Sequence, residues 1–240
     1  MVTMFHGCRS LTSLNISHFN TENVNSMSGL FRNCLSFTSL DLSSFNTKNV
    51  KVMNEMFRCC YSLISLNLFN FNTENLVDME GMFSYCKNLK YIDLSNFNAY
   101  KLLNMREMFE GCESLISINF TNFRTENVND MSFMFRFCKS LVSLDLSSFN
   151  TENVKSMAYM FDECYSLISL NLTNFKVPNL KDMNYMFCRC FSLISLDLFA
   201  LDIKKIRYSE IQNENQIIRE IFPNCCSLAN KFIQSFKNQE

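Results

Sequence analysis

The sequence predicts an α/β solenoid: a curved stack of repeated units with a parallel β-sheet on its concave side and short helices on its convex side. Two observations predict it. Cys8, Cys34, Cys60, Cys86, Cys112, Cys138, Cys164 and Cys190 recur every 26 residues without a slip, and within each unit the apolar spacing changes from a three-to-four-residue period to a two-residue period. A fixed period of this length marks stacked units that each bury an apolar flank on the next.

The first spacing runs through Val50, Met53, Met56, Phe57 and Cys60. On a helix these positions form one buried stripe roughly 120° wide. Thr47 and Asn49 precede the run and have side chains able to cap a helix N-terminus. Each unit is therefore expected to hold a helix of about three turns. After the cysteine, Leu66 and Leu68 alternate with Ser65, Asn67 and Phe69, which reads as a short strand with one buried face. Strands joined by identical returns must pair in parallel. Strands stack about 4.8 Å apart and helices no closer than about 8 to 10 Å, so the helical side should fan out and leave the sheet concave. Phe45, Phe71, Phe97, Phe123, Phe149 and Phe175 form a second internal column. Asn72, Thr73 and Asn75 and their equivalents fall at the turn, where Asn and Thr satisfy backbone groups.

Residues 1–202 read as eight tandem units, the first incomplete, and residues 203–240 as a degenerate ninth unit with a C-terminal helical cap. A nine-residue excess follows Leu198 before Ile221-Phe222-Pro223-Asn224-Cys225 restores a worn copy of the signature. At the other end Met1, Met4, Phe5, Leu11, Leu14 and Ile16 should leave an open apolar edge. Further sequence, a partner, or a second copy of the chain would cover it.

Composition narrows the function. A net charge of -1 with no basic stripe gives no reason to expect nucleic acid. Apolar stretches are interrupted every few residues, so none is expected to insert in a bilayer. The chain opens directly on a core position of the repeat, without the pattern of a leader peptide. Twelve cysteines lack the close pairing of zinc ligands. Their register favours a buried column of free thiols over disulfides, with Cys59, Cys188 and one of Cys225 and Cys226 left off-register as the reactive candidates. His6 and His18 have no evident nucleophile or carboxylate partner, and no phosphate-binding loop is present. No enzyme activity, cofactor or metal is expected.

The candidate site is the outward side of the strands. Asn15, Asp41, Asn67, Asp93, Asn119, Asp145, Asn171 and Asp197 form an alternating amide and carboxylate row. Alternation spaces the charges and places amide donors beside each carboxylate. Asn67, Asp93, Asn119, Asp145 and Asn171, with Phe69 and Tyr91 as exposed aromatics, are the residues expected to meet a protein partner. Phe199 breaks the small-polar rule of the same face. Phe133, Phe137, Tyr159 and Tyr185 are expected exposed on the helical side.

Leu63-x-x-Leu66-x-Leu68 resembles the start of a leucine-rich repeat, with Phe71 where an Asn or Cys is usual. The full unit, of which Leu144 to Cys164 is a clean copy, resembles the BspA-like family of leucine-rich repeat surface proteins over about residues 1 to 202. That resemblance implies a surface-exposed or secreted protein that binds host proteins or other cells without catalysis. The reading is a non-catalytic interaction or adhesion module. The alternative is an intracellular scaffold or regulatory leucine-rich-repeat solenoid, for which reduced cysteines and the absent leader argue.

Overall fold

The computed structural model describes residues 1–197 and 220–223. Successive 26-residue units lie side by side as rungs, in a parallel register confirmed on two faces. On the sheet face, β1 (Tyr91–Asp93), β2 (Ser117–Asn119), β3 (Ser143–Leu144), β4 (Ser169–Asn171) and β5 (Ser195–Asp197) are the named strands. β1 pairs β2, and β4 lies between β3 and β5, all parallel. Residues 26 apart are partners, as in Ile92 with Ile118 and Leu170 with Leu196. A second ladder of bridges runs from Ser26 through Val52, Asp78, Asn104, Asp130 and Ser156 to Asp182.

The three-turn helices are absent among the described residues, where only Glu220 and Ile221 are helical. In their place stands a stack of tight turns. Met56, Arg58 and Cys60 amides close turns onto the carbonyls of Met53, Glu55 and Phe57, while the intervening Met53, Glu55, Phe57 and Cys59 amides donate to Asp78, Glu80, Met82 and Ser84 of the next rung. A helix would bond these amides to its own chain. Here every second one serves the neighbouring rung, and the backbone inventory still closes.

That path requires a left-handed residue twice per unit. One column holds Thr3, Gly29, Glu55, Gly81, Glu107, Phe133, Tyr159 and Tyr185, and the other Gly7, Asn33, Cys59, Tyr85, Gly111, Phe137, Glu163 and Arg189, with φ between 51° and 76° throughout. The stripe read from the sequence is right about burial, since Met53, Met56, Phe57 and Cys60 are all fully buried. It is wrong about the backbone.

The expected fanning falls with the helices. Both faces are hydrogen-bonded from rung to rung, so both advance by one inter-strand spacing of about 4.8 Å. The Phe5–Phe31–Phe57–Phe83–Phe109–Phe135–Phe161–Phe187 column on the turn side stacks at centroid spacings of 5.3 to 5.9 Å. Helix packing distances do not occur there, and the terms concave and convex lose their basis. The two sides are the sheet face and the turn face.

Between them lies one continuous core. The in-register cysteine from Cys34 to Cys190 is buried in every rung, and its thiol donates to the carbonyl of Phe5, Phe31, Phe57, Phe83, Phe109, Phe135 or Phe161 one rung back, at 3.0 to 3.3 Å. Burial pushes the Cys34 thiol up to about 11. Among the off-register candidates, Cys188 is buried and Cys59 half-buried, while Cys225 and Cys226 lie outside the described residues.

Corner residues are tied across rungs and cap no helix. Thr21, Thr47, Thr125 and Thr151 hydroxyls donate to the carbonyls of Asn46, Asn72, Asn150 and Lys176. Asn49, Asn75, Asn127, Asn153 and Asn179 amides donate back to Glu22, Lys48, Tyr100, Glu126 and Glu152. After Cys190, the ring of Phe222 stacks on Phe187 at 5.5 Å, and Phe187 donates its amide to Ile221. The remainder of 203–240, and Phe199, lie outside the described residues. At the first rung, Met1, Phe5, Leu11 and Leu14 are half-buried, Met4 is exposed, and Ile16 is buried.

Candidate interaction surface on the sheet face

Strand alternation positions the site. Ile92, Ile118, Leu144 and Leu170 point into the core, so their neighbours on either side point out. Three outward columns result.

The first is the Asn/Asp row. Oδ1 of Asn15, Asp41, Asn67, Asp93, Asn119, Asp145 and Asn171 accepts the amide two residues on, at 2.9 to 3.1 Å. Each residue thereby caps the turn that ends its strand. Asn and Asp share Oδ1, which is why the two types interchange along the row. Hydrogen bonds from Ser43 and Ser95, the hydroxyl first and the amide second, hold the Asp41 and Asp93 carboxyls below the usual range. For Asp145 the Ser147 amide is the larger cause. The expected neighbour amides are secondary: Asn119, paired in register with Asp93, contributes after Ser95. Outside Asp93, whose Oδ2 takes the Tyr91 hydroxyl at 3.4 Å, one polar atom of each residue remains for solvent or a ligand.

The second column is Ser65, Tyr91, Ser117, Ser143 and Ser169, all exposed. Tyr91 is 48% exposed, with its hydroxyl 3.4 Å from Asp93 Oδ2. Phe69, at the strand exit, is 72% exposed. Among the described residues neither ring stacks on another, so the two expected aromatics stand apart instead of forming one anchor.

The third column escaped sequence reasoning. Four residues after the cysteine stand Ile116, Val142 and Ile168, which are 55%, 43% and 43% exposed in consecutive rungs. Ile194 continues the row directly into the next rung, and Ile64 resumes it on the other side of Lys90. The signal was present as β-branched residues recurring beside Leu63 and its equivalents. Only the leucine of each pair is buried.

The turn face is committed to itself. Phe133 stacks on Tyr159 at 4.9 Å and Tyr159 on Tyr185 at 4.8 Å. The Arg106 guanidinium lies 4.6 Å over Phe133 and that of Arg136 4.3 Å over Phe137. Arg58 pairs with Glu107 and Arg136 with Asp162, each at 2.9 Å. Of the four aromatics expected exposed here, Phe133, Phe137 and Tyr159 are half-buried. Among the described residues no three His, Cys, Asp or Glu side chains converge as metal ligands, and no helix is long and apolar enough to cross a membrane.

No curated protein matches the chain. Among solved structures, it is similar to the leucine-rich repeat protein TpLRR of T. pallidum, at 21% identity and a TM-score of 0.43 over 86% of this chain and 75% of that one. A leucine-rich cell surface protein from Faecalibacterium prausnitzii is 13% identical, with a TM-score of 0.37 over 70% of this chain and 56% of that one. A leucine-rich repeat protein from Bacteroides ovatus is 18% identical, with a TM-score of 0.37 over 82% of this chain and 63% of that one. The chain thus spans less than two thirds of the latter two. The solenoid architecture itself rests on the rung-to-rung hydrogen bonds above. The family profile described as "Mycoplasma protein of unknown function, DUF285" matches residues 1–91, 61–119 and 104–220, and the chain belongs to that family.

Proposed function

We propose that this chain is a non-catalytic protein-binding solenoid, with residues 1–202 as its repeat array, 203–240 as a degenerate ninth unit and cap, and the sheet face as its contact surface. The observation that carries the reading is the exposed Ile116–Val142–Ile168 row beside the Asn/Asp row. Apolar side chains aligned on a hydrogen-bonded scaffold lose little conformational freedom on docking, and the adjoining polar atoms supply a rim. Phe69 and Tyr91 extend the surface toward the N-terminal rungs together with Asn67, Asp93 and Asn119, while Asp145 and Asn171 flank the apolar row. The turn face offers less, because its charges and rings already satisfy one another. The finer assignment, a surface or secreted adhesion module of BspA-like type, draws on the resemblance of the Leu144 to Cys164 run. The second reading, an intracellular scaffold, is favoured by the free state of the ten described cysteines. A thiol count on freshly isolated protein separates the two.

The test is capture of solubilised surface proteins from the native environment by four immobilised baits: the parent chain, Ile116→Asp with Ile168→Asp, Asp93→Asn with Asp145→Asn, and Lys155→Glu on the far side. Asn is preferred to Ala because it keeps the Oδ1 turn cap, whose loss would cost about 1 kcal/mol per site. Capture should fall at least about tenfold, or 1.4 kcal/mol, in the isoleucine pair, fall less in the aspartate pair, and persist in Lys155→Glu. Equal capture by all four baits would remove the sheet face as the site.

A further inference from the structure

The corner ladder is interrupted in one stretch, and a cleft opens there. Elsewhere the corner side chains are spent on the backbone. Asn46, Asn72 and Asn150 accept the amide two residues on, and Asn70, Asn96 and Asn174 donate to the carbonyl of Ser43, Phe69 and Ser147 in the rung before. At Asn98 and Asn122, which hold the equivalent positions, the side chains make no hydrogen bond among the described residues. Asn122 has a φ of 65°, the one left-handed residue outside the turn face among those described. Ala99 stands where the two rungs on either side carry Thr47, Thr73, Thr125 and Thr151, and the Thr73 hydroxyl that would bond this rung is buried without a partner.

The cleft that results has a volume of about 490 Å³. Asn98, Asn122, Ser95 and Ser148 line it, with Arg124 and Glu126 at one wall and the buried, stacked Phe97 and Phe123 at its base. Arg124 Nη1 donates to Glu126 Oε1 at 2.9 Å. The other carboxylate oxygen, Oε2, is hidden from solvent and has no donor.

We propose that this cleft binds a neutral, hydroxyl-rich ligand of the saccharide class. The charges at the wall cancel, so an anion would face Glu126 and a cation Arg124, and neither is favoured. What the wall does present is planar and mixed: two free amides, each with both donors and an acceptor, and a guanidinium with donors to spare. Neighbouring hydroxyls on a sugar ring, each both donor and acceptor, match such a set. Hydroxyls in the cleft would meet the Asn98 and Asn122 amides and the spare donors of the exposed Arg124 guanidinium, while the buried Phe97 and Phe123 hold the floor rigid without touching the ligand. This site is separate from the Ile116–Ile168 row, so its failure leaves the protein-binding reading standing.

The experiment is titration of the isotope-labelled full chain with glucose, galactose, mannose and N-acetylglucosamine, each to about 50 mM, which detects millimolar binding, while the Asn98 and Asn122 amide and Arg124 Nε–H resonances are followed. At least one sugar should shift these signals. Asn122→Gly, which keeps the positive φ, and Arg124→Ala should each weaken that response by about fivefold or more, about 1 kcal/mol, with the melting curve unchanged. The proposal is overturned if no sugar moves the signals, if the response survives both substitutions, or if acetate or inorganic phosphate shifts them as strongly as the best sugar.

Discussion

The in-register cysteine of each rung shows how much a small residue can carry in this chain. Its side chain is wholly buried in the core in the middle rungs, and its S–H finds an acceptor in the Phe carbonyl one rung back, so a buried polar hydrogen is satisfied. Burial raises the thiol pKa at Cys34, Cys60, Cys86, Cys112, Cys138 and Cys164. In the unfolded chain these thiols ionise near 9.0. Above that pH the unfolded state binds fewer protons than the native state, so stability falls as pH rises. Each thiol contributes a loss of up to about 1.4 kcal/mol per pH unit between its unfolded and folded values. Chemical denaturation at pH 8, 9 and 10 should show a steepening decline, and a Cys86→Ala, Cys112→Ala pair should flatten it. A thiol-specific reagent at pH 8 should modify Cys8 and Cys59 in the native protein and leave these six untouched until denaturant is added.

At the scale of the element, the turn stack sets the rules. Positive φ costs an ordinary L-residue roughly 1 to 2 kcal/mol, yet Glu, Phe and Tyr occupy half of these positions. Phe133, Tyr159 and Tyr185 recover part of that through ring stacking, worth about 0.5 to 1.5 kcal/mol per pair. Glycine in these columns does more than relieve strain. Gly81 leaves the gap through which Arg58 reaches Glu107 two rungs on. Gly111 lies under the Tyr85 ring, where an added Cβ would come within 2.5 Å of Cδ1. Gly111→Ala should therefore destabilise by about 2 kcal/mol or more, backbone strain and ring displacement together. In Tyr85→Ala, where the ring is gone, the same change should cost only the strain. Equal costs in the two backgrounds would show that the contact has no energetic weight.

Across the whole molecule, each rung meets mainly its two neighbours, the Arg58–Glu107 pair reaching one rung further, and stability is close to a sum of unit and interface terms. Removing residues 127–152, one full 26-residue period, joins equivalent corners and keeps every column in register. That shortened chain should melt cooperatively at a lower temperature, with its near-ultraviolet spectrum retained. Removing 127–139 breaks the columns and should abolish folding. Two clean melts would contradict the register argument.

The sequence by itself determined the rung: its period, its parallel stacking, and which side chains of each unit are buried. Columns such as Met53, Met56, Phe57 and Cys60 were legible because burial follows from spacing alone. So was the outward row from Asn15 to Asn171, although its turn-capping role was not, since Oδ1 could serve a neighbour rung or its own backbone equally well on paper. The Ile116–Val142–Ile168 row was written in the chain but masked by the leucine beside each member. What only the tertiary structure decided is the backbone of the turn face, and with it the loss of any reason for the stack to fan. Apolar offsets of 0, 3, 6, 7 and 10 place side chains on one face of a helix or of a turn stack alike. The choice depends on where the Met53, Glu55, Phe57 and Cys59 amides find acceptors, and those acceptors belong to the next rung, 25 residues further along the chain.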